Sequence, residues 1–465
     1  MALLRYICAF ARRVLCRCTE PTVPIMQPIL KFGLITACAA AVFAGCINTD
    51  TSFTRVAPGI WRGVLELEKY SVPVRDKDTI FTLKEQFQEG ELPFNFEVKY
   101  LDDERFYIEI INGSERIRCD SIQYGRDRSQ ARDTFNIFFP EYASYIHAAV
   151  RGGAMQGEWV VTTKKNYRIP FYAHAGRNYR FTSLNEKPTA DISGEWAVNL
   201  GIDKDEPEKA IGEFRQSGNH LEGTFRTETG DYRFLEGTVQ GRKFWLSCFD
   251  GSHAYRFAGN IQPDGTLQGE FRSGTHYRTL WAGRRDPGFR LGNPDSLSVL
   301  KPGALPIKFS KATPEGKVLT FPGPAFDGKI KIFTVMGTWC PNCRDEQQFL
   351  VEFLQKNPAL ADKIAVVGFA FERHADTSAV QAHLLTYKQK MGIPFDLVYA
   401  GKADKLEAEK VFPAISQVLA FPTMLVLDKQ NRVRRVHTGF DGPATSRYEA
   451  FKKEFGMLIE QLIRE

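Results

Sequence analysis

The sequence predicts a multidomain chain: two tandem all-β units of barrel or sandwich type, followed by an α/β domain with a central sheet. Three observations carry this. Short alternating strands fill the stretch from about Ala57 to Arg285, with little helical periodicity. The same markers recur in the same order in both halves of that stretch. Beyond residue 306, apolar strands alternate with helical patterns. At 465 residues the chain is too long for one domain. The expected division is a leader at 1–46, β units at 47–186 and 187–286, a linker at 287–306 and the α/β domain at 307–465.

The leader reads as an export signal. Met26 to Lys31 is a short basic start, Phe32 to Phe43 is an apolar core, and Ala44-Gly45 closes it ahead of Cys46. The core is shorter than a membrane-spanning helix and ends on small residues. A small pair before cysteine resembles the bacterial lipobox, which implies lipidation at Cys46 and a membrane anchor. The alternative is a plain cleaved signal with an incidental cysteine. Met26 fits as the true start, with Met1 to Ile25 as an extension. Arg5, Arg12, Arg13, Arg17 and Lys31 against Glu20 place +4 of the net +6 charge in this leader. The remaining +2, without a long basic run, gives no support to nucleic-acid binding.

In the β region, segments such as Phe94 to Tyr100 and Phe106 to Ile110 alternate at period two. Ser217-Gly218-Asn219 and Pro263-Asp264-Gly265 read as turns. Gly59-Ile60-Trp61 answers Gly194-Glu195-Trp196, Gly157-Glu158-Trp159 answers Gly269-Glu270-Phe271, and Ala175-Gly176-Arg177 answers Ala282-Gly283-Arg284. The first copy has a longer middle, Tyr124 to Asp133, read as an enlarged loop. The G-x-W openings and successive short hairpins resemble lipocalin-like barrels, a kind of barrel that holds a small ligand or is filled by its own side chains. Trp61, Trp159, Trp196 and Trp245 could line a pocket, but core plugs of β structure are the favoured reading. His147, His174 and His276 show no ligand spacing.

In the last domain, Lys331 to Met336 runs into Trp339-Cys340-Pro341-Asn342-Cys343, and Phe349, Leu350, Phe353 and Leu354 follow at helical spacing. A C-x-x-C at a helix start places its first cysteine where unpaired N–H groups and the helix dipole favour a thiolate, the species that attacks a disulfide. Cys343 and Glu346 share a face at i and i+3, so Glu346 can approach the second cysteine from the buried side. It could shuttle that thiol's proton, or be an ordinary first-turn acid. Structural zinc needs about four ligands, and no second C-x-x-C or H-x-x-x-H is present. Of the nine cysteines, Cys8, Cys16, Cys18 and Cys38 precede the proposed cleavage. Cys119 and Cys248 could pair or remain buried thiols.

The run from Gly337 to Glu346, with Ala420-Phe421-Pro422-Thr423 before the strand Met424 to Asp428, resembles the thioredoxin-like thiol–disulfide reductases of the bacterial envelope, the TlpA/ResA-like group. The resemblance covers about Pro302 to Glu465. It implies a cis proline at Pro422 opposite the dithiol, and a docking surface built from Trp339, Pro341, Phe421, Pro422 and Thr423. It implies catalysis by Cys340 and Cys343 with Glu346 as the acid, and no organic or metal cofactor. The implied partners are a disulfide-containing envelope protein as substrate and an inner-membrane thiol electron donor. The expected location is the cell envelope, lipid-anchored and facing the periplasm. Thr334 stands where many thioredoxins carry a buried Asp. A peroxidase motif P-x-x-x-[ST]-x-x-C does not fit, because Cys340 and Met336 stand three and seven residues before Cys343. A different reading makes the β units the main functional part, binding a ligand or partner.

Overall fold

The computed structural model describes residues 56–68, 87–127, 132–373 and 376–465. Cys46, Met26 and the rest of the leader lie outside the described residues. The described chain is mostly β, with a closed barrel, a large antiparallel sheet, a two-stranded hairpin and a five-stranded mixed sheet with helices.

The first sheet has strands β1 (Gly59–Glu66), β2 (Glu91–Tyr100), β3 (Phe106–Asn112), β4 (Glu115–Cys119), β5 (Ile122–Asp127), β6 (Arg132–Phe139), β7 (Ser144–Arg151), β8 (Ala154–Val161) and β9 (Arg168–Ala175). Their order is β4-β3-β2-β1-β9-β8-β7-β6-β5, so β1 pairs with both β2 and β9. Most of the stretch read as an enlarged loop is strand: Tyr124 pairs with Phe135 and Arg126 with Asp133 across β5 and β6. The stretch is polar and charged with Tyr124 its single aromatic, so no apolar alternation marks the pairing.

The second unit is a closed eight-stranded meander: β10 (Gly194–Leu200), β11 (Glu208–Ser217), β12 (His220–Thr227), β13 (Leu235–Gln240), β14 (Lys243–Phe249), β15 (Ala254–Ile261), β16 (Leu267–Ser273) and β17 (Tyr277–Arg284). Closure through β10 and β17 leaves no free edge.

The repeat has a physical basis at two of its three markers. Trp61 Nε1 donates to Ala57 O and Trp196 Nε1 to Ile192 O, both at 2.8 Å, so each buried indole satisfies its N–H on the carbonyl four residues back. Gly157 opposes Phe171, which pairs with Leu65; Gly269 opposes Trp281, which pairs with Leu200. Both leucines stand four residues after their tryptophan, so the two units share one register. A Cβ at Gly157 or Gly269 would lie 1.8 Å from a neighbouring-strand carbonyl oxygen, which restricts both positions to glycine. The third marker does not coincide: Ala175 opposes Trp61, whereas Ala282 opposes Asn199, three residues further on.

Trp61, Trp159 and Trp196 are buried core residues, while Trp245 packs half-buried against Phe87 and Phe181. The units interlock. Phe249, at the end of β14, enters the core of the first sheet, with ring centroids 4.6 Å from Phe94 and 5.1 Å from Trp159. Cys119 and Cys248 are both buried and unpaired.

The last region opens with a hairpin, β18 (Phe309–Ala312) and β19 (Val318–Phe321), and then a five-stranded sheet ordered β22-β21-β20-β23-β24. β20 (Ile330–Met336) is central, parallel to β21 (Ile364–Glu372) and antiparallel to β23 (Thr423–Leu427). β22 (Asp396–Lys402) and β24 (Val433–Thr438) form the edges. Ile330, Ile332 and Met336 face helices α1 (Pro341–Lys356) and α4 (Tyr448–Arg464). Phe333 and Val335 face the hairpin and the end of α3 (Lys405–Val411). Both faces are covered, which is why β20 reads as a nearly continuous apolar run. α2 (Thr377–Lys390) packs against the short helical turn Pro140–Tyr142 of the first unit.

The Pro/Gly-rich stretch 287–306 is not a free tether. Gly292 N donates to Glu228 Oε1, Thr438 N to Pro294 O, and Lys301 N to Ala414 O, pinning it to both the barrel and the last sheet.

Candidate redox site

Cys340 is the N-cap of α1, in extended conformation at φ −103° and ψ 120°, with Pro341 at the first helical position. Its Sγ accepts the Cys343 N–H at 3.2 Å and lies 3.2 Å from Phe421 O, to which the thiol donates. The Phe421–Pro422 peptide is cis. The two runs singled out in the sequence, around Cys340 and around Pro422, therefore meet through one sulfur. Thr423 is buried at the start of β23, and its hydroxyl donates to Ala420 O at 2.8 Å, fixing the turn. Both site cysteines are free thiols here; Cys340 is 5% exposed and Cys343 fully buried.

Trp339 sits beside the sulfur. Its Nε1 donates to Phe371 O at 2.9 Å, its ring meets Phe421 edge-on at 5.5 Å, and the Arg373 guanidinium lies over its face at 4.3 Å.

Beneath the dithiol, Glu346 is fully buried, and its Oε1 has no hydrogen-bond partner. Burial, and then the nearby Cys340, push its carboxyl well above the usual range. Burial likewise pushes the Cys343 thiol up, with Cys340 and Glu346 adding to it. Thr334, in the place of the expected Asp, accepts from Gln347 Nε2 at 3.0 Å. A neutral pair thus fills that position, and Glu346 is the acid of the buried side.

Several residues of the site had no sequence signal. Glu372, at the end of β21, accepts from Thr338 N and Thr338 Oγ1, both at 2.9 Å, and burial raises its carboxyl to about 7. Arg233, near the end of the β12–β13 return, is fully buried and donates to Pro341 O at 3.2 Å and Asp345 Oδ2 at 2.9 Å. It also pairs with Glu115 of β4. Asp231 Oδ2 accepts Gly442 N at 2.6 Å, and burial together with Asp345 raises its carboxyl to about 7.

These contacts place the barrel over the motif. A cleft of about 450 Å³ opens at Cys340. Its floor is Thr338 to Asn342 with Phe421, and its far wall comes from the β12–β13, β14–β15 and β16–β17 turns of the barrel and the β8–β9 turn of the first sheet. By register β8–β9 and β16–β17 are the same hairpin of the repeat, so both copies arrive at one cleft. Among the described residues no group of three or more His, Cys, Asp or Glu is placed to hold a metal ion.

No family model and no curated protein matches the chain. Among solved structures it is similar to a putative protein disulfide isomerase from Bacteroides thetaiotaomicron, at 17% identity over 36% of this chain and 93% of that one, with a TM-score of 0.27. It is also similar to a secreted thiol-disulfide isomerase from Corynebacterium glutamicum, at 18% over 38% and 98%, with a TM-score of 0.29. StoA from Bacillus subtilis is similar at 20% over 32% and 97%, with a TM-score of 0.24.

Proposed function

We propose that this chain is a thiol–disulfide oxidoreductase of the cell envelope that reduces disulfides through Cys340 and Cys343. One observation carries the reading. A solitary helix N-cap sulfur accepts the N–H of its partner cysteine and touches the carbonyl before a cis proline. The Cys340 thiolate attacks a substrate disulfide, forms a mixed disulfide and releases the first substrate thiolate. The Cys343 thiolate then attacks Cys340 Sγ and releases the second. Two electrons pass from the dithiol to the substrate, and the protein is left with the Cys340–Cys343 disulfide.

The buried Cys343 must lose its proton for that second step, and Glu346, with a free oxygen on the buried side, is the group to accept it. Trp339, Pro341, Phe421, Pro422 and Thr423 form the docking surface at the sulfur. No organic or metal cofactor enters. A thiol donor in the inner membrane restores the dithiol, and lipidation at Cys46 holds the protein at the membrane, facing the periplasm.

The test is Cys343→Ser. The variant should accumulate a Cys340-linked mixed disulfide with substrate, seen as a mass increase reversed by reductant. Cys340→Ser should trap nothing. A reduction potential near or below about −270 mV supports the reducing direction, and one near about −120 mV reverses it.

A second reading, in which the β units choose the partner, is favoured by the cleft: its far wall is theirs. Excising them should change substrate choice more than the rate with small disulfides.

A further inference from the structure

The cleft that the β units close over Cys340 carries an unbalanced set of charges. Lys164, in the β8–β9 turn, and Arg373, after β21, both line it, as does Lys405 at the start of α3. The first two each rest on an aromatic ring, Lys164 Nζ 4.5 Å from the centre of Tyr167 and Arg373 4.3 Å from that of Trp339. Among the described residues neither makes an ion pair with a carboxylate, although Arg215, Arg226 and Arg256 of the barrel do. They lie within electrostatic reach of each other: after burial, Arg373 is the charge that lowers the Lys164 ammonium. Burial, Lys164 and Arg373 also lower His276, so it is a neutral wall residue at neutral pH.

The carboxylates lining the same cleft, Glu208, Asp231 and Glu372, are all pushed up by burial, toward the uncharged form. Half-buried Lys164 and exposed Arg373 line a space above a nucleophilic sulfur with no carboxylate in ion-pair contact among the described residues, and the negative groups that act most on Arg373 are Cys340 and the adjacent Glu372. The cleft volume of about 450 Å³ falls in the range of small-ligand sites. A folded partner would need a face of about 800 Å² to dock stably, and here the sulfur stands behind the walls of three modules.

We propose that the substrate is a low-molecular-weight disulfide bearing carboxylates beside its S–S bond, with Lys164 and Arg373 as the residues that select it. This rests on the dithiol reading above. One carboxylate pairs with Arg373 at the Trp339 edge and another with Lys164 on the opposite wall, which sets the S–S bond over Cys340. Cys340 takes one sulfur as a mixed disulfide and the first thiolate leaves. Cys343 closes the internal disulfide and the second leaves, so one dithiol is oxidised for one disulfide reduced to two thiols. A dithiol reductant regenerates the protein.

The test is a single-turnover assay with the full chain, pre-reduced by dithiothreitol and desalted. Glutathione disulfide serves as the anionic probe, 2-hydroxyethyl disulfide as the neutral one and insulin as a folded protein disulfide. Each rate is divided by that of the same disulfide with free dithiothreitol. The anionic probe should exceed the neutral one about tenfold or more, and insulin should be slowest. K164Q and R373Q should each lower the anionic-to-neutral ratio, and the double variant should bring it close to one. Raising salt should lower the wild-type ratio in the same direction. A ratio near one in the wild type, a ratio unmoved in the double variant, or insulin reacting as fast as the anionic probe overturns the proposal while leaving the oxidoreductase reading intact. A wild-type dithiol that reacts with none of the three overturns both.

Discussion

Arg233 Nη1 donates to Asp345 Oδ2 at 2.9 Å, joining the return of a barrel strand to the N-terminal part of the helix that Cys340 caps. The same guanidinium holds Pro341 O, inside the C-x-x-C, and Glu115 of the first sheet. Three modules therefore meet at one fork of donors, and only arginine has a planar fork to serve them.

Removing that fork leaves Asp345, Glu115 and Asp250 near one another without their cation. Arg233→Met should lower unfolding stability by about 3–5 kcal/mol, the usual result of orphaning buried charges. Arg233→Lys, with a single ammonium, should recover only part. The midpoint of urea unfolding measures both, and a shift of less than about 1 kcal/mol for Arg233→Met would show the junction to be open in solution.

Two buried carboxyls give a sign to the pH dependence of stability. Asp231, facing Asp345 and Arg233, and Glu372, facing Thr338 and Arg373, are both raised to about 7 in the folded protein, from ordinary values of 3.8 and 4.5. Between those limits the folded state keeps protons that the unfolded state has lost. Stability therefore falls as pH rises through about 4.5 to 7, by roughly 1.4 kcal/mol per pH unit for each group at full effect. Burial would raise Glu236 too, but Arg180 and His220 hold it at about 2, so its opposite contribution is lost only in stronger acid. The melting temperature should be higher at pH 5.5 than at pH 7.5, and Asp231→Asn or Glu372→Gln should flatten the slope. A wild-type profile flat or rising over that range contradicts the assignment.

In the proposed reaction Glu346 acts on one step only. Cys343 is buried and its thiol is held up, so the step in which it must lose its proton is the one that needs a base. Glu346→Gln should slow the release of substrate from the mixed disulfide about 100-fold at pH 7, the range of a general base. The rate of that step should then climb about tenfold per pH unit above 7, as hydroxide takes over the proton. Stopped-flow Trp339 fluorescence separates attack from release. Equal slowing of both steps would make Glu346 structural.

The dithiol and its companion were legible because each is a short run: Trp339 to Cys343, and Ala420 to Thr423, carry their chemistry within five residues. The repeat was legible at Gly157 and Gly269, where a strand carbonyl crowds out any Cβ. It failed at Ala282, where a similar tripeptide stands three residues out of register. Nothing local announced Arg233, Asp231, Lys164 or Arg373. The partners of the first two lie in other modules, Asp345 at 112 residues from Arg233 and Gly442 at 211 from Asp231, and only the docking of the modules brings them together.

The last contact worth breaking is the one between the barrel and the motif. Gly230 has φ +145°, and a Cβ there would lie 1.8 Å from Asn342 Nδ2 and 2.9 Å from its Cγ. Gly230→Ala therefore strains the turn in two ways: by a backbone angle that L residues rarely adopt, and by pressing on a residue of the C-x-x-C itself. The amide of Asn342 can swing aside, but only into the cleft or away from the barrel, and either alters the approach to Cys340. We expect a stability loss of about 1–3 kcal/mol and a rise in the rate at which a bulky maleimide alkylates Cys340, relative to iodoacetamide. Adding Asn342→Ala removes the clash and leaves the backbone strain. The double variant should return the alkylation ratio toward wild type while keeping most of the stability loss. If Gly230→Ala changes neither quantity, the barrel does not rest on the motif in solution, and the cleft is not the route to the sulfur.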